Sequence, residues 1–322
     1  MTIEYRKLTE MPNPYVCKTV ELGGARQLVA ASEGYGPVVR FRPPEWRPEL
    51  LAEGPGGVLD VSEVPGEQAL FMIGGCYPGY DFHHAGIYLL EEQPGEWKRT
   101  RVFDLPFSHR LHALRSDGYM RLLVTSITQT KATPEEWGRP GAVYQVDFPE
   151  GPENSTPLRP ILAELHKNHG FLLRTENGAD RLYVSGVEGV YRANVPDTIE
   201  EAWAFEQYLP QEISELHFID FDGDGMEELV TIEPFHGNRL VVYKLRGDQA
   251  LPWLDHEIEY GHGLWTGMIG GVPSLLVGNR AGHKNLELLQ LDGPALSVTT
   301  IAEGSGTAQI AVLSEADRKS VV

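Results

Sequence analysis

Apolar positions in this chain come in short runs broken by turn residues. Segments such as "HRLHALRSDGYMRLLVTS", "HGFLLRTENGADRLYVSG", "ELHFIDFDGDGMEELVTI" and "HGLWTGMIGGVPSLLVGN" each hold two brief apolar cores separated by Gly, Asp or Asn. Runs of this length bounded by turn residues predict β-strands, and 35 glycines and 23 prolines spread through 322 residues supply the breaks. Helical periodicity is confined to "TPEEWG" (Thr133–Gly138) and "DTIEEAWAF" (Asp197–Phe205), which predict two short helices.

The four segments share one pattern: a strand, a turn, then a second strand with a Leu-x-Val-like core. Aligning the second strands brings Val124, Val184, Val230 and Val277 into register, at separations of 60, 46 and 47 residues. That spacing fits a four-stranded propeller blade with variable loops. The pattern extends back to Ile73 and Val29 and forward to Val322, giving seven units. The last unit stops inside its second strand, and "TIEYRKL" near the N-terminus is placed to supply a closing strand and cover the open edge. The expectation is all-β: one β-propeller over residues 1–322, with seven four-stranded blades.

Charge narrows the function. With 27 Lys and Arg against 46 Asp and Glu the net charge is −19, which argues against nucleic acid and anionic membranes as partners. Cys17 and Cys76 are the only cysteines, too few for a disulfide scaffold. The N-terminal segment has no apolar signal-peptide core and no run is long enough to span a bilayer, so a cytoplasmic location is expected.

The stretch "DFDGDGMEE" places Asp220, Asp222 and Asp224 at alternate positions, followed by Gly225, the Met226 carbonyl and Glu228. Hard oxygen donors at this spacing suit one Ca²⁺ ion, or a plain Asp/Gly turn without metal. Thr231 stands where a helical calcium hand needs Glu, and strands flank the loop.

The 11 histidines follow the blade register. Fifteen residues before the register valine stand His109, His169 and His262, with Glu215 at that offset in the acidic-loop unit. Six residues after it stand His236, His283 and Tyr35; the longer loop "GGCYPGYDFHHAG" carries Tyr77, Tyr80, His83 and His84. In a propeller both offsets fall on one face around the channel mouth, where ligands bind. Arg239, Arg280 and Lys284 lie beside these histidines. Imidazole ligates divalent transition metals and transfers protons near neutral pH.

The blade pattern, the acidic loop and the "HGN" and "GHKN" histidines resemble FG-GAP/VCBS-type repeats, in particular the propeller domain of aldos-2-ulose dehydratase. They resemble propeller polysaccharide lyases more distantly. The resemblance implies a lyase, dehydratase or isomerase acting on a keto-sugar or uronate-type substrate, a small sugar or oligosaccharide. His109, His169 and His262 would hold a channel metal (Zn, Mn or Mg). Tyr35, His83, His84, His236 and His283 would serve as acid/base groups, with Tyr77, Tyr80, Arg239, Arg280 and Lys284 binding substrate. A structural Ca²⁺ would sit in the acidic loop. The dehydratase carries cupin domains that this chain lacks. The alternative is a non-catalytic propeller that binds a glycan or protein partner.

Overall fold

The computed structural model describes residues 6–322 apart from 78, 80, 117, 150, 152, 153, 248, 316, 317 and 322. Among them the chain forms six four-stranded antiparallel blades, each a meander in sequence order. The first is β1–β4 (Pro14–Leu22, Ala25–Ser32, Val38–Phe41, Pro48–Ala52) and the second β5–β8 (Asp60–Glu63, Ala69–Gly74, Gly86–Gln93, Glu96–Asp104). The third is β9–β12 (Ser108–Ser116, Tyr119–Ser126, Gly141–Phe148, Arg159–Leu165) and the fourth β13–β16 (Gly170–Glu176, Ala179–Gly186, Gly189–Asn194, Glu206–Leu209). The fifth is β17–β20 (Glu215–Ile219, Glu228–Glu233, Arg239–Arg246, Gln249–Glu257) and the sixth β21–β24 (Gly261–Ile269, Val272–Asn279, Leu286–Asp292, Ala295–Ala302).

The first strands of the blades stand around the axis. Neighbours are stitched by side chains: Leu111 N donates to Asp60 Oδ2 and Ala113 N to Ser62 Oγ, both at 3.0 Å, while Thr266 Oγ1 donates to the Phe218 carbonyl at 3.1 Å. The second strands are the buried centre of each blade. Val29, Ile73, Val124, Val184, Val230 and Val277 are all completely buried, so the register read from the sequence is the register of the core. These strands are apolar on both faces because each blade packs between two others.

The expected count of seven four-stranded blades is wrong; six are formed. After Ala302 the chain runs without strand through Ala311, which leaves only β25 (Val312–Glu315) and β26 (Arg318–Val321), a two-stranded hairpin. Arg6–Leu8 of the expected closing strand form no strand; Leu8 and Met11 instead pack on the first blade. The rest of that strand, and the register position Val322, lie outside the described residues. The hairpin fills the joint between the sixth and first blades: Ala311 and Leu313 join Leu28, Val39 and Phe41, while Ile310 and Val312 pack against Ile269, Leu276 and Leu286. Gln309 ties the joint further, accepting from Cys17 N (3.1 Å) and donating to the Leu59 carbonyl (3.2 Å).

No helix forms among the described residues; 133–138 and 197–205 hold turns, bends and coil. Both segments are too short to repay helix nucleation, and tertiary bonds claim the second. Arg121, fully buried in β10, pairs with Asp147 at 2.8 Å and donates to the carbonyls of Pro196 (2.8 Å) and Thr198 (3.0 Å), while Trp203 Nε1 donates to Gln145 Oε1 at 2.6 Å. These bonds draw the segment of the fourth blade onto the third. Removing the guanidinium leaves Asp147 as an unpaired buried charge, so Arg121→Ala should lower unfolding free energy by about 3–5 kcal/mol. Urea denaturation measures this; a loss under about 1 kcal/mol would contradict the account.

Candidate metal centre at the channel mouth

The entries to the innermost strands carry the polar side chains. In β1, β9 and β21 the ladder shifts by one residue, between Pro14 and Val16, at Ser108/Arg110 opposite Ser126/Thr125, and between Gly261 and Gly263. The extra residues at these bulges are Tyr15, His109 and His262. Bulges re-aim side chains, and here they bring all three together. His169 stands just ahead of β13, its N–H donating to the Ser185 carbonyl (3.1 Å), and Glu215 opens β17. His236 arrives from the loop between β18 and β19 in a left-handed conformation (φ 48°), with the Phe235 ring stacked on its own at 3.9 Å.

One nitrogen from each of His169, His236 and His262 lies within 4.8 Å of the others. Their Nδ1 atoms have partners that hold the rings in place. His169 Nδ1 meets a Glu215 carboxylate oxygen at 2.9 Å and the Ser214 carbonyl at 3.2 Å; His262 Nδ1 meets the Ala308 carbonyl at 2.7 Å; His236 Nδ1 meets the Tyr260 hydroxyl at 2.8 Å. The carboxylate and carbonyl acceptors commit the protons of His169 and His262 to Nδ1, and the Nε2 atoms of His169 and His236 lie 3.1 Å apart. Carbonyl and carboxylate anchors behind imidazoles are the usual support of a histidine metal site, and zinc bound tetrahedrally at ~2.0–2.1 Å from each nitrogen suits such spacing.

Electrostatics keep the cluster neutral. Burial, reinforced by neighbouring imidazoles and cations, pushes His109, His236 and His262 well below the usual histidine range. His169 is lowered by burial too, against the opposing pull of Glu215. Burial would raise Glu215, but Arg110 at 2.7 Å and His169 hold it at about 2. Burial raises the Tyr15 phenol, which therefore stays protonated. Its hydroxyl lies 3.1 Å from His262 Nε2 and 3.3 Å from His109 Nε2. A cavity of about 360 Å³ opens on this group, lined among others by Tyr15, Glu33, His109, His236, Tyr260, His262 and Arg280. Arg280 lies over the Tyr15 ring at 5.5 Å and within 3.5 Å of Glu33.

The structure thus brings together His109, His169, His236, His262 and Arg280 from the residues singled out in the sequence. It places His236, rather than His109, in the close trio. The others lie elsewhere. His83 and His84 are exposed, the first edge-on to Phe107 and the second offering its carbonyl to Arg101. His283 is exposed and paired with Glu259, Arg239 is paired with Asp255, and Lys284 is exposed. Tyr35 and Tyr77 stack on each other outside the cavity lining; Tyr80 lies outside the described residues. Tyr15, Glu33 and Tyr260 were not singled out. Tyr15 had a readable signal, a tyrosine at the entry to an innermost strand one residue off the histidine offset.

The acidic loop joins β17 to β18 at the end away from Glu215. Asp220, Asp222 and Asp224 have oxygens within 4.8 Å of one another. The Lys244 ammonium sits against them, 2.5 Å from Asp222, 3.1 Å from Asp224 and 2.8 Å from buried Glu228. Asp220 Oδ2 accepts from Gly225 N (3.0 Å), whose φ of 87° closes the turn.

His112 reports the interior electrostatics independently of the cluster. Burial and Lys18 hold it at about 4, against Asp60 and Asp180. The unfolded chain, titrating near 6.5, takes up this proton first. The stabilisation is therefore complete above about pH 6.5 and is lost as pH falls toward 4. His112→Gln should flatten the pH dependence of the unfolding free energy in that window by up to ~1.4 kcal/mol per pH unit. Superimposable urea-derived curves for the two proteins would show that His112 is not held neutral.

No family model matches the chain, and no curated protein matches it in sequence. Among solved structures it is similar to the Dos1 propeller, at 9% identity and a TM-score of 0.52 over 88% of this chain and 69% of that one. A chain of the nidogen/laminin complex is 12% identical with a TM-score of 0.46, over 77% of this chain and 78% of that one. Identities this low speak to architecture alone, and nothing among them supports the repeat family or the dehydratase. The chain is a single all-β propeller.

Proposed function

We propose that the channel mouth is the active site of a metal-dependent enzyme that eliminates water, or a glycosyl group, from a small oxygenated substrate of the keto-sugar or uronate type. The observation that carries this is the trio of His169, His236 and His262, one ring nitrogen of each within 4.8 Å of the others, with a polar partner at every Nδ1. The ligand set, three neutral imidazoles, suits a divalent transition metal such as zinc or manganese. A bound ion there would polarise a carbonyl oxygen and stabilise negative charge developing on it.

The chain's own groups can move the protons. His109 Nε2, neutral through burial, accepts the proton next to the carbonyl. The Tyr15 hydroxyl donates its proton to the departing oxygen, a C–O bond breaks, a C=C bond forms, and water or an alcohol leaves. The His109 proton then returns to the Tyr15 oxygen across their 3.3 Å contact, restoring both groups. Arg280 and Glu33 at the rim are suited to holding substrate oxygens. Tyr15→Phe keeps the three imidazoles, so metal content should stay at one ion per chain after loading with zinc or manganese. Formation of unsaturated product from keto-sugars, followed by ultraviolet absorbance, should fall ~10²- to 10⁴-fold. His169→Ala and His262→Ala should each lose the metal. A wild-type protein that takes up no transition metal yet binds glycans or proteins would support a non-catalytic propeller instead.

For the acidic loop we propose a stabilising role, with Lys244 and Ca²⁺ as competing counter-charges. Lys244→Met leaves four carboxylates facing one another, so its thermal midpoint should fall, and added Ca²⁺ should raise it more than in the wild type. A midpoint indifferent to Ca²⁺ in the variant would show that the loop holds no such ion.

A further inference from the structure

Beside the cavity stands an aromatic pair that the elimination chemistry does not use. Tyr35 and Tyr77 stack with ring centroids 4.6 Å apart and planes 20° from parallel. Tyr35 is 79% exposed, far more than any other large aromatic side chain described. A tyrosine that open ordinarily gains nothing from a fixed position, yet this one is held. Its stacking partner is anchored by a bond from the Tyr77 hydroxyl to the Pro55 carbonyl (2.8 Å) and by the Tyr77–Asp81 bridge. Its own loop is pinned on both sides: Glu33 N donates to the Asn13 carbonyl (2.8 Å), and Gly57 N donates to the Gly34 carbonyl. The pair also has a defined place. Glu33, two residues before Tyr35, and Gly79, two residues after Tyr77, both line the cavity.

We infer that the Tyr35–Tyr77 pair is a stacking platform for a second sugar ring, so that the substrate is an oligosaccharide or glycoside with one residue in the cavity and the next on the platform. This rests on the reading of the cavity as a sugar site. A pyranose presents an apolar C–H face and an edge of hydroxyls. The open face of Tyr35 suits the first. The Glu33 carboxylate, with the Arg280 guanidinium 3.5 Å from it, suits the second through charge-assisted hydrogen bonds. A flat aromatic ligand would use the ring and make no hydrogen bond to that charged pair. With one face of Tyr35 on Tyr77, the pair is already ordered before ligand arrives, so little side-chain entropy is lost on binding.

The test is binding without turnover. Wild type, Tyr35→Ala, Tyr35→Trp and Tyr77→Ala are titrated with neutral and uronate-containing mono-, di- and tetrasaccharides by calorimetry. Tyr35 is exposed, so its variants keep the wild-type thermal midpoint. The wild type should bind at least one disaccharide more tightly than its monosaccharide. Tyr35→Ala and Tyr77→Ala should erase that gain with a loss of at least about tenfold, and Tyr35→Trp should keep it. Equal affinities for wild type and Tyr35→Ala, or no saccharide binding by the wild type, would overturn the platform. Tyr35-dependent binding by a protein that takes up no metal would leave the platform standing and sink the enzyme reading. Metal-dependent turnover indifferent to Tyr35 would do the reverse.

Discussion

The channel depends on one buried ion pair, Arg110 with Glu215. Both groups belong to innermost strands, and burial alone would push the carboxyl toward protonation. The guanidinium at 2.7 Å prevents that, and the resulting carboxylate fixes the proton of His169 on Nδ1. The orientation of the cluster follows. With His169 held, its Nε2 faces His236, and His236 is fixed from behind by Tyr260. His262 obtains the same anchoring from a backbone carbonyl of the segment that crosses from the sixth blade to the first. Closure of the ring and preparation of the imidazoles are thus parts of one arrangement: Ala308 serves His262, and Gln309 and Ala311 tie the joint.

Much of this was legible in the sequence because a propeller repeats its geometry. The second-strand positions Val29 to Val277 form the buried centre, and a constant offset from them found His109, His169, Glu215 and His262. The offset works because each lies two residues before the partner of its register residue: Leu111, Phe171, His217 and Leu264 pair with Val124, Val184, Val230 and Val277. The second offset was less informative. Loops between second and third strands differ in length and path, so His236 turns inward through a left-handed backbone while His283 points to solvent and pairs with Glu259. Tyr260 and Glu33 could not be read at all, because their place at the cavity depends on how one blade sits beside another. The count of seven blades failed for a related reason. A register residue marks a strand, but a blade needs four, and the C-terminal segment supplies two.

The molecule is strongly acidic overall, with a net charge of −19, yet its channel mouth is built differently. Arg110 and Arg280 flank neutral imidazoles there, while the carboxylates within reach, Glu215 and Glu33, are each engaged with one of those cations. Acidic character is concentrated elsewhere, notably in the β17–β18 loop, where Lys244 offsets it. The acidic loop therefore lies at one end of the β17–β18 pair, and Glu215 and His236 lie at the other.

The most direct test of the proposed metal centre is X-ray absorption spectroscopy at the zinc or manganese edge on protein loaded with that ion. Three imidazole nitrogens at ~2.0–2.1 Å for zinc, with the multiple-scattering signature of histidine, are predicted, and one imidazole should be lost in His236→Ala. A shell made of oxygen alone, or one unchanged by His236→Ala, would contradict the assignment of this cluster as the metal site.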